Sequence, residues 1–171
     1  GSYPTSYIPT YSVSATRAAD SSKKLDASDV IGQTEGTLFV DVDQFGGQAN
    51  SPYLLVWDGT FNNRIMISSG GGGTENRFTF YVSVGGTNVV FYLHPTSLTG
   101  RHKLALAYKL NDVVGYLDGV QVLNDTSATI PATSTIQMAV ASTNPANAGI
   151  NQATLFKERL TNAELATLTT I

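Results

Sequence analysis

The chain contains no cysteine. Disulfide staples and thiolate metal sites are therefore excluded, and the fold must rest on its core alone. Charge is scarce as well: Asp, Glu, Lys and Arg make up 13% of 171 residues, against the usual quarter. The ten basic residues are scattered and the net charge is −3, so no phosphate-tracking patch forms and nucleic acid is not an expected partner. Apolar runs reach only about five residues, far short of a membrane span. The first residues have neither the basic nor the apolar region of a secretion signal. Only two histidines occur, His94 and His102, and no Gly-x-Ser-x-Gly accompanies them, which argues against a Ser-His-Asp enzyme. His94 precedes Pro95 and reads as the end of a strand.

What is present is an alternation of apolar and polar residues, broken at short intervals by Gly, Asn and Asp. Strands are predicted near 37–43, 53–58, 63–68, 77–84, 87–93, 102–110, 113–117, 120–124, 135–141 and 150–157. Many short, evenly spaced strands predict an all-β sandwich or barrel. In "RFTFYVSVGGTNVVFYL" the Gly85-Gly86 pair suits a two-residue hairpin loop. With Val84 facing Thr87, Phe78, Phe80 and Val82 share a face with Val89, Phe91 and Leu93. The other face then carries Thr79, Tyr81 and Ser83 beside Asn88, Val90 and Tyr92. In "RHKLALAYKLNDVVGYLDGVQVLND", turns at Asn111-Asp112 and Asp118-Gly119 place Gly115 opposite Tyr108, leaving room for a ring. The reverse face, with Ala105, Ala107, Val114 and Tyr116, is mixed and reads as half covered. One helix is signalled at "LTNAELATL", where Thr161 and Glu164 form a capping box and Leu160 and Leu165 a hydrophobic staple. Such a helix would plug one end or edge of the sandwich.

"HKLALAYKLNDVVGYLDGVQV" resembles the signature of laminin G-like, concanavalin A-like jelly rolls: a His, an alternating strand ending in Tyr, then a Tyr-apolar-Asp-Gly hairpin. "TEGTLFVDVD" resembles that family's opening strand, and "ATLFKERLTNAELATL" its closing strand and short helix. The resemblance implies a jelly-roll β-sandwich of two antiparallel sheets with one short C-terminal helix over residues 17–171. It also implies a structural role for His102. Its members include sugar-binding modules, adhesion domains and enzymes, so function must come from the site.

The stretch "PTSYIPTYSVSATRAAD" resembles a segment of bacteriophage tail and other virion proteins that leads from one sandwich into the next. Pro4 and Pro9 remove ladder donors, so residues 1–16 read as a stiff linker or stub of a preceding module, with Gly1-Ser2 a cloning remnant. Tyr3, Tyr7 and Tyr11 would pack on a neighbouring surface rather than form a site. This resemblance implies a virion or extracellular setting, with other modules of a parent protein as partners.

Sugar sites combine an aromatic platform with planar polar side chains. Tyr81 and Tyr92, as diagonal cross-strand neighbours about 7–8 Å apart, are the candidate platform, with Asn88, Ser83 and Thr79 beside them. Tyr116, opposite small Ala107, is a third ring. Trp57, ending "PYLLVWDG", is a further candidate, although core placement suits it better. Glycosidases on this fold use paired carboxylates, and here only Asp41 and Asp43 share a strand face; the third position is the apolar Phe45. The same two aspartates are the weak candidates for a calcium ion, which would need clustered oxygen ligands and a counter-ion. Asp58, Asp112 and Asp118 read as turn residues. "SSGGGGTENR" lacks the Lys-Ser/Thr ending of a phosphate loop and reads as a flexible hairpin tip.

The expectation is a non-catalytic carbohydrate-binding or host-recognition module, with a polysaccharide or cell-surface glycan as partner and no cofactor besides an optional calcium. A structural spacer that self-associates into a homo-oligomer is the alternative, and an endo-glycanase the second.

Overall fold

The structure is a computed structural model that describes residues 22–45, 51–71, 74–138, 140–141, 144–145 and 148–171. The opening tyrosines and prolines lie outside the described residues. In chain order the strands are β1 (Ser22–Lys24), β2 (Glu35–Gln44), β3 (Ser51–Trp57), β4 (Arg64–Gly71), β5 (Thr74–Val84), β6 (Thr87–Leu93), β7 (Gly100–Lys109), β8 (Asp112–Leu117), β9 (Val120–Asp125), β10 (Thr135–Met138), β11 (Val140–Ala141), β12 (Asn144–Pro145) and β13 (Ala148–Phe156); α1 is Asn162–Thr169. Each strand expected from the alternation is present. The short β1 and β12 carry too few residues to show a period.

Two antiparallel sheets face each other, ordered β1-β10-β3-β4-β5-β6 and β13-β2-β7-β8-β9. This is the jelly-roll β-sandwich the sequence predicts. Alternate residues point inward, and Leu38, Val40, Val56, Ile67, Phe80 and Leu106 lie in the shared core, fully buried. Side chains of two twisted sheets interdigitate across such a space, which removes most of the apolar area from water.

Two registers differ from expectation. The β5–β6 turn is as predicted: Gly85 and Gly86 take φ of 57° and 85°, as a two-residue loop with both residues at positive φ requires. Val84 faces Thr87 and Ser83 faces Asn88, but a bulge then pairs Val82 with Val90, Tyr81 with Phe91 and Phe80 with Tyr92. One extra residue flips every side chain beyond it. Tyr92 therefore turns inward against Phe80, with ring centres 5.8 Å apart, and Phe91 turns out beside Tyr81, at 4.9 Å. At the β7–β8 turn Lys109 faces Asp112, so Leu110 and Asn111 form the loop and Asn111 takes positive φ. A shift of two residues preserves the faces but changes the partners. Gly115 lies opposite Leu106, and the ring it makes room for is Phe80 of the facing sheet: a Cβ there would stand 2.7 Å from Phe80 Cε2. Tyr108 instead lies opposite Gly36.

The helix also departs from its expected place. It lies flat on the outer face of the five-stranded sheet, where Phe39, Ala105, Ala107, Val114, Tyr116 and Leu165 form a second buried cluster. The two alanines leave a shallow apolar bed, and Leu165 fills it completely buried. The capping box forms as read: Thr161 Oγ1 accepts from Glu164 N, and the Glu164 carboxylate accepts from Thr161 N at 2.8 Å. Leu160 packs on the same cluster, as a staple residue should.

Candidate functional site

The covered face under α1 removes one candidate. Tyr116 is 5% exposed beneath the helix and donates to Gln121 Oε1 at 3.1 Å. It faces Ala105, not Ala107, and its ring is not accessible.

On the outer face of the six-stranded sheet, register builds two cross-strand rows. Leu55, Met66, Tyr81 and Phe91 form one, and Trp57, Arg64, Ser83 and Asn88 the other. The first row is apolar at its base and ends in Phe91, which is 49% exposed. Trp57 is not in the core between the sheets. It packs at the border of the small cluster Leu55, Met66 and Tyr81 on this outer face.

The β3–β4 loop adds a residue that no strand pattern reveals. Asp58 accepts from Thr60 N and Thr60 Oγ1, each at 2.7 Å, and from Asn63 Nδ2 at 2.8 Å, the Asx-type turn expected of Asp before Gly. Asn63 Oδ1 in turn accepts from Gly85 N at 3.0 Å, and Asn62 O from Gly86 N at 2.9 Å, so this loop is braced against the β5–β6 turn. The locked loop holds Phe61, 43% exposed, with its ring 5.1 Å from that of Trp57. The Arg64 guanidinium lies 5.2 Å from the centre of Phe61 and 5.3 Å from that of Tyr81, and Lys23 Nζ stands 5.2 Å over Trp57. Burial pushes the Arg64 guanidinium below its ordinary value and the Tyr81 phenol above its own.

The expected platform is thus partly assembled and partly replaced. Tyr81 and Tyr92 point to opposite sides of their sheet, because the bulge intervenes. Burial raises the Tyr92 phenol from its usual value. Thr79 is fully buried, with its hydroxyl directed to Arg77 O at 3.5 Å. Ser83 is buried too and donates to Asn88 Oδ1 at 2.6 Å. Asn88 itself stays exposed, and its Oδ1 also accepts from Arg64 Nη2 at 3.4 Å. Trp57, Thr79, Tyr81, Ser83 and Asn88 of the expected group share one face, on which Thr79, Tyr81 and Ser83 are buried. Phe61, Phe91, Arg64 and Lys23 are the members that sequence reasoning missed. An apolar Phe61 inside an Asp-Gly-Thr-Phe-Asn-Asn turn was the available signal, since turns seldom expose a ring without use.

The aspartate pair lies on the other sheet. Asp41 is buried and bonded by both oxygens to Arg101, Oδ1 from Nε at 3.0 Å and Oδ2 from Nη2 at 2.7 Å. Asn151 Nδ2 bridges Asp41 Oδ1 at 3.2 Å and Asp43 Oδ2 at 3.0 Å. Arg101 is the counter-ion that the paired carboxylates needed, and it occupies the oxygens a cation would use. No cluster of three His, Cys, Asp or Glu suited to a metal occurs among the described residues. The Arg101 guanidinium holds the Asp41 carboxyl below the usual carboxylate range. Its stabilising contribution is therefore full above the unfolded value of about 4 and is lost as pH falls through the lower folded one. Arg101 is 54% exposed, so solvent screening keeps the contribution of the pair small. Asp41→Asn should be slightly less stable than the unaltered protein at pH 7, and in urea melts the gap should narrow as pH falls below the unfolded value. A gap that stays constant with pH would show that the pair carries no charge-dependent stability.

His102 has the structural role that the resemblance implied. Its Nδ1 meets Asp118 Oδ2 at 2.7 Å, while Asp118 Oδ1 accepts from Lys103 N at 2.9 Å, and its ring stands edge-on to Phe78. His94 directly follows β6 and turns back on Thr96, as its place before Pro95 predicts.

No protein-family model and no curated protein matches the chain. Solved structures do. The NanB sialidase of Streptococcus pneumoniae superposes with a TM-score of 0.67 at 15% identity, over 87% of this chain and 26% of its own. The carbohydrate-binding module of the Ruminococcus gnavus IT-sialidase, bound to α2,3-sialyllactose, gives 0.67 at 14% identity, over 86% and 91%. Domain 4 of the extracellular arabinanase AbnA from Geobacillus stearothermophilus, in complex with arabinotriose, gives 0.61 at 14%, over 84% and 69%. The chain thus spans about a quarter of the sialidase chain it matches, and nearly all of the isolated module. At these identities the likeness is one of fold, and the fold is an antiparallel, concanavalin A-like β-sandwich.

Proposed function

We propose that the protein is a non-catalytic carbohydrate-binding module, and that the outer face of its six-stranded sheet is the binding surface. The observation that carries this reading is the group Trp57, Phe61 and Phe91 around Tyr81, edged by Asn88 and Arg64. Rings held at fixed positions stack on the C–H face of a pyranose, and planar amide and guanidinium groups orient its hydroxyls. Two of the structural neighbours are complexes with oligosaccharides, which supports the class of ligand. The pairing of Asp41 with Arg101 supports the absence of catalysis, because a carboxylate locked to a guanidinium is not poised as acid or nucleophile. The resemblance of the opening stretch supports a setting in a virion tail or secreted protein, where many copies would turn weak single contacts into avidity.

The test is glycan-array screening followed by titration, with and without calcium, read by the fluorescence of Trp57, the only tryptophan. Phe61→Ala and Phe91→Ala each remove a half-exposed ring without opening the core, so each should weaken binding by about tenfold while leaving the melting temperature nearly unchanged. Absence of binding to every glycan under both conditions would sink the reading. Concentration-dependent self-association in size-exclusion chromatography, abolished by the same substitutions, would favour the structural alternative instead.

A further inference from the structure

The binding face holds an arginine with no ion-pair partner among the described residues. Arg101 and Arg159 each meet an aspartate at 2.7–2.8 Å, and Lys109 meets Glu35 at 3.0 Å. Arg64 meets no carboxylate among the described residues, although burial already works against its charge. Its Nη1 donates to Phe61 O at 2.9 Å and its Nη2 to Asn88 Oδ1 at 3.4 Å, both at the exposed side. A guanidinium has five N–H donors. With one hydrogen bond on each terminal nitrogen, each keeps a further N–H that can donate to an anionic acceptor. Arg64 Nε and Trp57 Nε1 are also buried without an acceptor among the described residues. Lys23, over Trp57, adds a second positive charge on the same face, with no ion pair among the described residues. Arg64 and Lys23 thus place two cations on one face of a chain whose net charge is −3.

We propose that this face selects saccharides bearing a carboxylate, with Arg64 binding the acid group while the aromatic rings around it receive the sugar. The proposal rests on the glycan-binding reading above and names its substrate class. An arginine fixed by Phe61 O and Asn88 and flanked by two rings is pre-organised, so little side-chain freedom is lost when the acid docks. Apolar neighbours reduce the screening that weakens a single exposed ion pair. A neutral sugar would leave the guanidinium charge without a counter-ion.

The experiment uses matched pairs on the unaltered protein: 3′-sialyllactose against lactose, and trigalacturonate against its methyl ester, with a sulfated disaccharide as a third arm. The expected result is that at least one acid binds on the order of tenfold tighter than its uncharged counterpart. Arg64→Gln should bring that ratio to about one. Arg64→Lys should keep part of it, since charge remains and the guanidinium is lost. Equal affinity within both pairs overturns the proposal but leaves glycan binding intact. A sulfated sugar bound as tightly as the better acid also overturns it, because the selection would then be for any anion. No binding of charged or neutral sugars removes the glycan-binding reading along with it. The comparison of acid and ester needs no variant, so a poorly folding Arg64→Gln does not shield the idea.

Discussion

Phe80→Ala should destabilise the protein by about 3–5 kcal/mol. For a domain of this size that lowers the melting temperature by roughly 6–20 °C. Phe80 is fully buried, stacks on Tyr92 and crosses the sandwich to fill the place where Gly115 has no side chain. Truncation removes the ring and leaves a void walled by both sheets, which cannot close without moving two ladders. The converse substitution tests the same contact. Gly115→Ala brings a methyl group to 2.7 Å from Phe80 Cε2 and 3.0 Å from Leu123 Cβ, costing about 1–3 kcal/mol in the unaltered protein. Placed in the Phe80→Ala background, it should cost much less, because the opposing ring is gone. The double-mutant cycle should therefore show a coupling of at least about 1 kcal/mol. Strict additivity would mean that Phe80 and Gly115 do not share the space described.

Gly36→Ala should be at least as damaging as Gly115→Ala, at about 3 kcal/mol or more. Gly36 sits on β2, between β13 and β7, and faces Tyr108. A Cβ there would meet the Tyr108 phenol and stand 2.6 Å from Cζ and 2.9 Å from Phe156 O. The ring can yield only by breaking its hydrogen bond to Gly32 O, at 2.8 Å, and the carbonyl cannot yield without the ladder. Burial holds the Tyr108 phenol well above its ordinary value, so the displaced hydroxyl has no good alternative inside. Tyr108→Leu should recover part of the loss in the Gly36→Ala background and cost stability in the unaltered one. Urea denaturation of the four proteins decides this; a Gly36→Ala variant within 0.5 kcal/mol of the parent would refute the packing argument.

Both glycines illustrate what could be read beforehand. Strand alternation marks Gly115 as a gap for a ring, and counting along the hairpin pairs it with Tyr108. The gap was real, but the ring came from the facing sheet, because counting covers only neighbours in one ladder. The same limit governed the candidate site. Alternation assigned the faces of β5 correctly from Phe78 to Ser83. It misassigned β6 from Val90 onward, since a single bulged residue reverses the period and leaves no mark in composition. Phe91 and Tyr92 exchanged roles through that one residue.

By itself, the sequence determined the features that depend on near neighbours in the chain. Strand period, the Gly85-Gly86 and Asp118-Gly119 turns, the Asp58 loop and the Thr161–Glu164 cap are of this kind, because each is set by backbone sterics and hydrogen bonds within a few residues. Tertiary structure decided the rest. It laid α1 on Ala105 and Ala107, locked Asp41 to Arg101 across 60 residues, and brought Trp57, Phe61, Arg64, Tyr81, Asn88 and Phe91 onto one face. These contacts depend on registers between strands, where one residue of slip moves a side chain from the core to the solvent.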